Sequence, residues 1–483
     1  MITVKGVVKL QSDYKVADDT YIQSEVSYGE YVDNCRIYIR GNINKEYHNS
    51  DWDAQRKTQH LESLIADFVK KHPSKVEGYV SPEGIVNSDL LLSDVIDSVT
   101  GIAVIKYALE EDETVDEIQI NDKDTILVSR GGRYEPYVDR EGRVMRFSSN
   151  EEIHTLINKL IDDGTGNIPQ FTDGNPILNA KTAKHQYRIS SVHHSANTQD
   201  KPPYNYPITT VTIRKFKEVK LTIEDLIKYG ACTEEMGHLL KLLGRAEVRL
   251  FCVGPTGSGK TTLTQIMANE IPHDKRIGLV QNPSEITFQE RDEYGRNKRN
   301  VFHWEVTEHA GLDELASNIL RFTPDVAIIG ESRENTEFAQ VLRILRSGHK
   351  TLGTFHSEGA EDGVGRFATE ISSIGGTSYD EAVRLVADVI DVIITQYKYP
   401  DGRRRIVGIS EIQGVDDKGK VVVNDIFTFE ESGESTINEH GLPEVHGEFK
   451  KKGTLSPYLQ KKLFRAGVNR SDIEQFLTLE EEK

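Results

Sequence analysis

The sequence has few cysteines, no long apolar run and no excess of positive charge. Its three cysteines, Cys35, Cys232 and Cys252, form no CxxC pair, and an odd number of thiols is typical of a reducing compartment. A structural zinc site made of four cysteines is therefore excluded. No apolar stretch reaches the roughly 20 residues that cross a bilayer, and the first residues resemble neither a signal peptide nor a transit peptide. We expect a cytoplasmic chain.

The charge balance disfavours one broad class of partner. The 483 residues include 59 Lys and Arg against 77 Asp and Glu, which gives a net charge of −18. A chain this acidic is a poor general binder of phosphate backbones, so nucleic acid is not an expected partner. Two basic clusters, at 295–300 and 401–405, are read as exposed turns, although a nucleic-acid groove or a contact with anionic lipid is the alternative.

The pattern of apolar residues changes along the chain and predicts several regions. Residues 1–48 are expected to be rich in β-structure, because CRIYIRG alternates, and 49–110 to be mostly helical. An α+β domain follows, and then strand-sized apolar runs alternate with helices, which favours an α/β domain with a mostly parallel sheet. A β meander is expected at 403–429. The predicted regions are a variable N-terminal region 1–100, an α+β domain 101–218, an α/β domain 219–440 and a partly helical tail 441–483.

A glycine-rich motif follows one of these strand-sized runs. The run VRLFCV leads into GPTGSGKT, which fits G-x-x-x-x-G-K-[ST], and a helix is predicted from Thr261 onward. In this setting, backbone N–H groups and a helix N-terminus surround phosphate oxygens. Lys260 would reach the β- and γ-phosphates, and the Thr261 hydroxyl would bind Mg²⁺. The predicted nucleotide-binding residues are Gly254, Pro255, Thr256, Gly257, Ser258, Gly259, Lys260, Thr261 and Thr262.

A carboxylate follows another apolar run. The run Val326–Ile329 ends at Gly330 and Glu331, and a strand that ends beside the glycine-rich loop would place Glu331 near the phosphates. A carboxylate there can bind Mg²⁺ or orient an attacking water. Asp325, at the other end of the run, is the weaker candidate. On this pattern alone, Glu331 is as readily a surface residue.

The longer stretch RFTPDVAIIGESRENTEFAQVLRILRSGHKTLGTFHSEGA resembles the secretion ATPases of type II and type IV systems. The likeness covers residues 100–465 and is strongest to the CpaF-like branch that powers Tad (Flp) pili and to the conjugation-type ATPases beside it. Supporting runs are VDEIQINDKDTILVSRGGRYEPY and TTVTIRKFKEVKLTIEDLIKYG. The residues that match the family pattern are Arg321, Pro324, Asp325, Gly330, Glu331, Arg333, Gly348, His349, Thr354 and His356.

The resemblance implies a fold and a set of residue roles. The fold is a RecA-like P-loop ATPase core of the α/β class, preceded by an α+β N-terminal domain. Glu331 would be the general base or the carboxylate that orients water, directly or through Mg²⁺. His349 and His356 would form a histidine box that senses the γ-phosphate. Arg188 and Arg214 would reach the nucleotide from the N-terminal domain and offset charge on the γ-phosphoryl group.

The resemblance also implies an assembly and partners. Such proteins form homo-hexameric rings, use ATP and Mg²⁺, lie at the inner face of the cell membrane and act on an inner-membrane platform protein. The tetracysteine module of the type II assembly branch is absent, so no zinc is expected. The usual Glu-Asp pair is replaced by Gln281 and Asn282, and only Glu285 keeps its acid. An amide cannot take a proton from water, so catalysis is expected to depend more heavily on Glu331.

Several functions remain open on the sequence. The favoured one is a ring motor for pilus assembly or secretion, and the nearest alternative is a type IV secretion or conjugation transport ATPase. A nucleotide-binding regulatory scaffold with weak hydrolysis is the alternative from another class, and a DNA translocase is disfavoured by the acidic charge. The pair His193-His194 suggests a metal, but the sequence shows no third ligand at useful spacing. A solvated strand end is the expected reading of that pair.

Overall fold

The computed structural model divides the chain into two compact units. One comprises the described residues up to 215 and the other those from 221 onward. Of the helices that the structure describes, none is both long and apolar enough to cross a membrane. The structure describes residues 25–43, 54–162, 171–196, 208–215 and 221–479, except 27, 73, 77–78, 81–85, 101, 132, 141, 148, 185–186, 283–284, 289, 308–309 and 439–440.

The first unit begins with a layer of helices. These elements are β1 (Glu25–Val26), α1 (Tyr28–Asn42), α2 (Ala54–Lys71), β2 (Lys75–Val76), α3 (Ser88–Val99) and α4 (Ile102–Lys106), which continues as a wider turn over Tyr107–Glu111. The prediction that 49–110 is mostly helical is confirmed for the described residues of that range. The β-rich prediction for 1–48 is wrong where the structure describes the chain, because CRIYIRG lies in α1. The buried side chains there, Tyr31, Val32, Cys35 and Ile39, follow a helical period.

A sheet forms the rest of the first unit. Its described strands have the order β5-β4-β3-β8-β7-β6, and all neighbours are antiparallel. Burial alternates along β3, β7 and β8, so one face is apolar and the other polar. The strands are β3 (Glu117–Ile120), β4 (Ile126–Arg130), β5 (Arg133–Pro136), β6 (Ile177–Lys181), β7 (Arg188–Val192) and β8 (Thr210–Arg214).

Helix α5 (Asn150–Ile161) covers the apolar face of this sheet. It begins after Ser149, whose hydroxyl accepts a hydrogen bond from the Glu152 backbone N–H at 3.3 Å. The predicted apolar positions are the buried ones and join the core beneath the sheet, namely Ile153, Leu156, Ile157 and Leu160. His193, which follows β7, is only 5% exposed, so the expectation of a solvated strand end is wrong for it.

The second unit is built on a larger sheet. Its strands in the described residues have the order β11-β10-β12-β13-β9-β14-β15-β16-β17, parallel from β11 to β14 and antiparallel from there on. The strands are β9 (Leu250–Val253), β10 (Ile277–Gln281), β11 (Val301–Glu305), β12 (Val326–Ile329), β13 (Lys350–Phe355), β14 (Val392–Lys398), β15 (Arg404–Val415), β16 (Val421–Ile437) and β17 (Pro443–Lys451). The α/β fold of the core is therefore as predicted, and β15 and β16 confirm the meander.

Helices cover both faces of the parallel part. They are α6 (Ile223–Lys228), α7 (Glu234–Arg245), α8 (Lys260–Asn269), α9 (Leu312–Ile319), α10 (Asn335–Arg346), α11 (Ala360–Ser373), α12 (Tyr379–Ala387), α13 (Pro457–Arg465) and α14 (Arg470–Ile473). Successive residues of β12 enter opposite cores: Val326 and Ile328 pack on one side, Ala327 and Ile329 on the other. A strand buried on both faces has to be apolar throughout, which is why the sequence signal was strong.

The C-terminal residues belong to this packed unit. Strand β17 extends the sheet beyond residue 440, and Leu459 and Leu463 of α13 join the same core as β9. All three cysteines of the chain are buried as free thiols. Predictions for residues 1–24, the loop at 197–207 and the frayed end at 480–483 fall outside the described residues.

The cluster at 295–300 is only partly an exposed turn. Arg296 is exposed and pairs with Asp292 at 2.8 Å, as a turn residue would. Arg299 is buried, however, and its guanidinium donates to the carbonyls of Ile271 at 2.6 Å and Asn269 at 2.7 Å. The cluster therefore contributes one structural arginine, which caps the end of α8.

Candidate functional site

The glycine-rich loop connects the carboxyl end of β9 to the first turn of α8. Gly254, Gly257 and Gly259 have φ values of 148°, 75° and 99°, which side chains disfavour. A Cβ at Gly254 would lie 2.1 Å from the Gln396 carbonyl oxygen of β14. The loop is thus a cradle that only glycine fits, and it ends at the amino terminus of a helix.

A chain of polar contacts runs from this loop to the ends of two neighbouring strands. Lys260 Nζ donates to Pro255 O at 3.1 Å and lies 3.2 Å from His356 Nδ1. His356 Nε2 lies 2.8 Å from Glu331 Oε1. The other carboxylate oxygen accepts from Arg333 Nη2 at 2.6 Å. The structure therefore brings together Lys260, Glu331 and His356, three of the predicted catalytic residues.

Burial and nearby charges set the protonation states of Glu331 and His356 in this line of contacts. Burial raises the pKa of Glu331, but Arg333, His356 and Lys260 outweigh it and hold the pKa below its usual value. Burial, with Lys260 next, lowers the pKa of His356. At neutral pH the site therefore holds an ionised carboxylate beside a neutral imidazole, whose Nε2–H donates to Glu331 while Nδ1 accepts from Lys260.

The hydroxyl groups of the loop suit a phosphate and a divalent cation. Ser258 is fully buried, and its Oγ has no hydrogen-bond partner among the described residues. Thr261 and Thr262, in the first turn of α8, are partly exposed. A buried hydroxyl without a partner is costly unless a ligand satisfies it. The residues present therefore fit a nucleotide, and the Thr261 hydroxyl with the Glu331 carboxylate supplies oxygen ligands of the kind Mg²⁺ prefers.

Gln281, which replaces a family acid, has a structural role. Its Oε1 accepts from the backbone N–H groups of Ile286 at 2.8 Å and Glu285 at 3.1 Å, and its Nε2 donates to Ile286 O at 2.7 Å. The same nitrogen lies 2.9 Å from His303 Nε2. The amide thus holds the loop after β10 in place, and the neighbouring Asn282 is exposed.

Two candidates lie at the opposite edge of the sheet. His349 precedes β13 while His356 follows it, and the Nδ1 of His349 lies 2.7 Å from Ser347 Oγ. Because a six-residue strand spans about 20 Å, His349 is not brought to the glycine-rich loop of the same chain. Asp325 likewise precedes β12, where it accepts a hydrogen bond from the Arg276 backbone N–H at 2.7 Å.

Arg404 is a residue of this site that the sequence reasoning missed. It lies in the 401–405 cluster, where exposed turns were expected. Its Nε donates to Gly257 O at 3.3 Å, and its Cδ lies 3.0 Å from the position of a Cβ on Gly259. Arg405 is buried too, with its guanidinium 4.7 Å from the ring centre of Tyr399. The run of three arginines at 403–405 was the signal in the sequence that could have pointed to this contact.

Arg188 and Arg214 lie in the first unit, on the polar face of its sheet. They are directly opposite each other on β7 and β8, and Lys181 and Glu117 continue the same row. Like charges directly opposite each other destabilise a sheet, and Glu117 supplies one negative charge at the end of this row.

Comparisons with known proteins show which family this chain is similar to. Residues 137–460 match the family described as Type II/IV secretion system protein. An uncharacterized protein of Methanocaldococcus jannaschii is 30% identical over 225 residues, which are 44% of this chain and 79% of that protein. The protein VirB11 of Rhizobium radiobacter is 28% identical over 160 residues, 32% of this chain and 44% of VirB11. The competence protein ComGA of Halalkalibacterium halodurans is 28% identical over 161 residues, 33% of this chain and 43% of ComGA.

Solved structures show a more distant likeness. The Legionella pneumophila ATPase DotB is 20% identical, with a TM-score of 0.46, over 66% of this chain and 82% of DotB. The pilus retraction motor PilT with bound ADP is 17% identical, with a TM-score of 0.47, over 78% of this chain and 90% of PilT. The chain spans less than half the length of VirB11 and ComGA.

Proposed function

Because the chain belongs to the type II/IV secretion system protein family, we propose that it is an ATP-hydrolysing motor that powers protein secretion or pilus assembly. The observation that carries this proposal is the line of contacts Lys260–His356–Glu331 beside the glycine-rich loop. A cation for phosphates and an ionised carboxylate for water are the two groups that phosphoryl transfer to water requires.

The residue roles follow from this arrangement. Loop amides and Lys260 bind the β- and γ-phosphates, and the lysine leaves His356 when a phosphate takes its place. Glu331, ionised at neutral pH, orients the attacking water and accepts its proton. His356 holds Glu331 in place through Nε2. When bound at Thr261 and Glu331, Mg²⁺ would neutralise charge on the phosphates. Arg404 steadies the loop from β15.

Two arginines of the first unit complete the proposed machinery. Arg188 and Arg214 add positive charge at the γ-phosphoryl group, as the resemblance implies. Support for this comes from their adjacent positions on the polar face of the sheet, where a bound anion would offset the repulsion between two like charges. The same resemblance is the basis for a homo-hexameric ring at the inner face of the membrane.

The sequence also supports a more specific proposal about the system in which this motor works. The CpaF-like runs favour a Tad pilus assembly motor that acts on an inner-membrane platform protein, with conjugation-type transport as the alternative. Both use the same nucleotide chemistry, so mutations at the site cannot separate them. Co-purification of the full chain with pilin-assembly membrane proteins, as opposed to conjugation proteins, from a producing cell would do so.

Steady-state phosphate release with Mg-ATP tests the enzymatic proposal. We expect turnover by the full chain and its loss, by at least about 10²-fold, in Lys260→Ala and Glu331→Gln. Glu331→Gln should still bind ATP, because the loop amides and Lys260 continue to hold the phosphates. Tight ATP binding by the wild type without turnover, even at concentrations that favour rings, would contradict the motor and favour a nucleotide-gated scaffold.

A further inference from the structure

A second cluster of chemically active side chains lies in the first unit. His154 is on α5, and His193 and His194 follow β7, so a helix and a strand end supply the three imidazoles. One ring nitrogen from each lies within 4.8 Å of the others. No step of the proposed ATPase reaction uses these residues.

The spacing of two of these nitrogens fits a shared ligand. His154 Nε2 and His194 Nδ1 lie 3.3 Å apart. Two nitrogens bound to one tetrahedral zinc ion at about 2.0–2.1 Å would lie about 3.3 Å apart, the same separation. One ring nitrogen of His193 lies within 4.8 Å of both.

Further polar groups surround the cluster. His193 Nδ1 lies 3.2 Å from Asp173 Oδ1 and 2.8 Å from Ser195 Oγ. The Thr209 hydroxyl lies 2.8 Å from His154 Nε2. A carboxylate hydrogen-bonded to a metal-binding histidine fixes the orientation of its ring. The Ser195 backbone nitrogen also lies 3.2 Å from His193 Nδ1, so Asp173 and Ser195 together restrain the His193 ring.

The cluster lies in partly apolar surroundings. His193 is buried, the other two are half-buried, and the Phe171 ring centre lies 5.3 Å from that of His154. Imidazole nitrogens are ligands of divalent transition metals, whereas Mg²⁺ prefers oxygen.

We propose that His154, His193 and His194 bind one divalent transition-metal ion of the imidazole-preferring class, with Zn²⁺ the natural choice. Three nitrogens and one water or hydroxyl complete a tetrahedral shell. The ion would join α5 to the end of β7 and so stabilise the first unit. The expectation of no zinc rested on the missing cysteines, and His154, 39 positions before His193, could not be recognised from spacing alone.

Titration of the full-length protein with Co²⁺, after removal of metals by a chelator, tests this proposal. Excess Mg²⁺ is present to occupy oxygen sites, and no nucleotide is added. We expect one equivalent of Co²⁺ with the intense visible bands of tetrahedral coordination, displaced by Zn²⁺. Weak octahedral bands, or no saturable binding, would overturn the proposal regardless of whether the protein hydrolyses ATP.

Variants assign the ligands. His154→Ala and His194→Ala should each weaken Co²⁺ binding by more than about 100-fold, because loss of even an outer partner costs roughly 10- to 100-fold. Asp173→Asn should weaken it by about tenfold, and His446→Ala, on β17, should leave it unchanged. Circular dichroism of each metal-free variant verifies folding. Wild-type affinity in well-folded His194→Ala and His154→Ala would disprove the site.

Discussion

The central strands of the larger sheet are buried on both faces, whereas the smaller sheet has one apolar and one polar face. In the larger sheet, Glu331, His356 and the glycine-rich loop all follow the carboxyl ends of parallel strands. In the smaller sheet, Arg188 is the first residue of β7 and Arg214 the last residue of β8, and both belong to the polar face. The polar groups therefore follow the strands in one unit, whereas in the other they are the terminal residues of strands that have one solvated face.

This difference has a physical cause. A charge in the middle of a strand that is buried on both faces would be desolvated without a partner. Parallel strands have their carboxyl ends at one edge, so polar groups converge there. An antiparallel sheet with one solvated face can hold charges along its strands at little cost. We infer that polar substitutions will be tolerated on the solvated face of the smaller sheet but not in the central strands of the larger one.

The largest expected effect is a difference in ATP turnover between variants at the two ends of β12. Glu331→Gln should lower ATP turnover by about 10²- to 10⁴-fold, because a positioned base is lost. Asp325→Asn, at the opposite end of β12, should leave turnover near the wild-type rate, since that side chain still accepts from the Arg276 backbone. Phosphate release measures the turnover of both variants. Equal losses of turnover would argue that the reaction does not take place at the carboxyl ends of the parallel strands.

The next effect concerns the polar face of the smaller sheet. Arg188→Ala and Arg214→Ala should each reduce kcat/KM for ATP by about 10²-fold, in the range for removal of one transition-state donor. Lys181→Ala, next to Arg188 in the same row, is the matched control and should change it little. If Lys181→Ala is as damaging as Arg188→Ala, the row acts by general charge and not through the two arginines.

The difference in burial between the faces of the two sheets can be tested by measuring the free energy of unfolding of variants. Ile328→Ala and Ile329→Ala should each cost about 2–5 kcal/mol, because adjacent residues of β12 pack into two different cores. In β8, Ile213→Ala should cost the same, but Thr212→Ala under about 1 kcal/mol. Urea unfolding followed by circular dichroism measures these values. A small cost at either isoleucine of β12 would contradict burial on both faces.

The smallest effect is a pH dependence in the larger sheet. Lys350 begins β13, and its ammonium group donates to Gly244 O. Burial lowers its pKa to about 7, the nearby Lys275 acting in the same direction and Glu247 against both. Between pH 7 and the usual lysine pKa, the unfolded chain binds a proton that the folded chain does not. Stability should therefore rise with pH by up to ~1.4 kcal/mol per unit in that window.

Lys350→Met isolates this contribution from other titrating groups. The variant should be more stable than the wild type near pH 7, and the difference should shrink as the pH rises toward 10. The readout is the urea midpoint of each protein across that range. A difference that stays constant with pH would mean that Lys350 is charged in the folded state.

Much of the fold could be predicted from the sequence, because burial leaves a simple pattern. Strands β9 and β12 are continuous apolar runs, and α5 has its apolar residues at helical spacing. The segment CRIYIRG failed because its short alternation imitates a strand, while the buried positions Tyr31, Val32 and Cys35 lie partly upstream of it. The apolar period of a helix has to be recognised over more residues than the alternation of a strand.

The residues of the candidate site could be predicted where a local pattern in the sequence marks each of them. Lys260 is part of a motif, and Glu331 follows a strand that the topology places near it. Arg404 contacts the loop from a distant strand, and no local pattern records that contact. The spacing of His349 and His356 does not show that β13 separates them and places them at opposite edges of the sheet.

The buried cysteines have a practical consequence for measuring motion. Burial raises the pKa of Cys35, Cys232 and Cys252 to about 12, so their thiols will resist maleimide dyes in the folded protein. A cysteine introduced at exposed Val144 in the first unit and another at exposed Tyr229 in the second would be labelled selectively in the native background. Energy transfer between the two dyes could then follow one molecule through its nucleotide cycle.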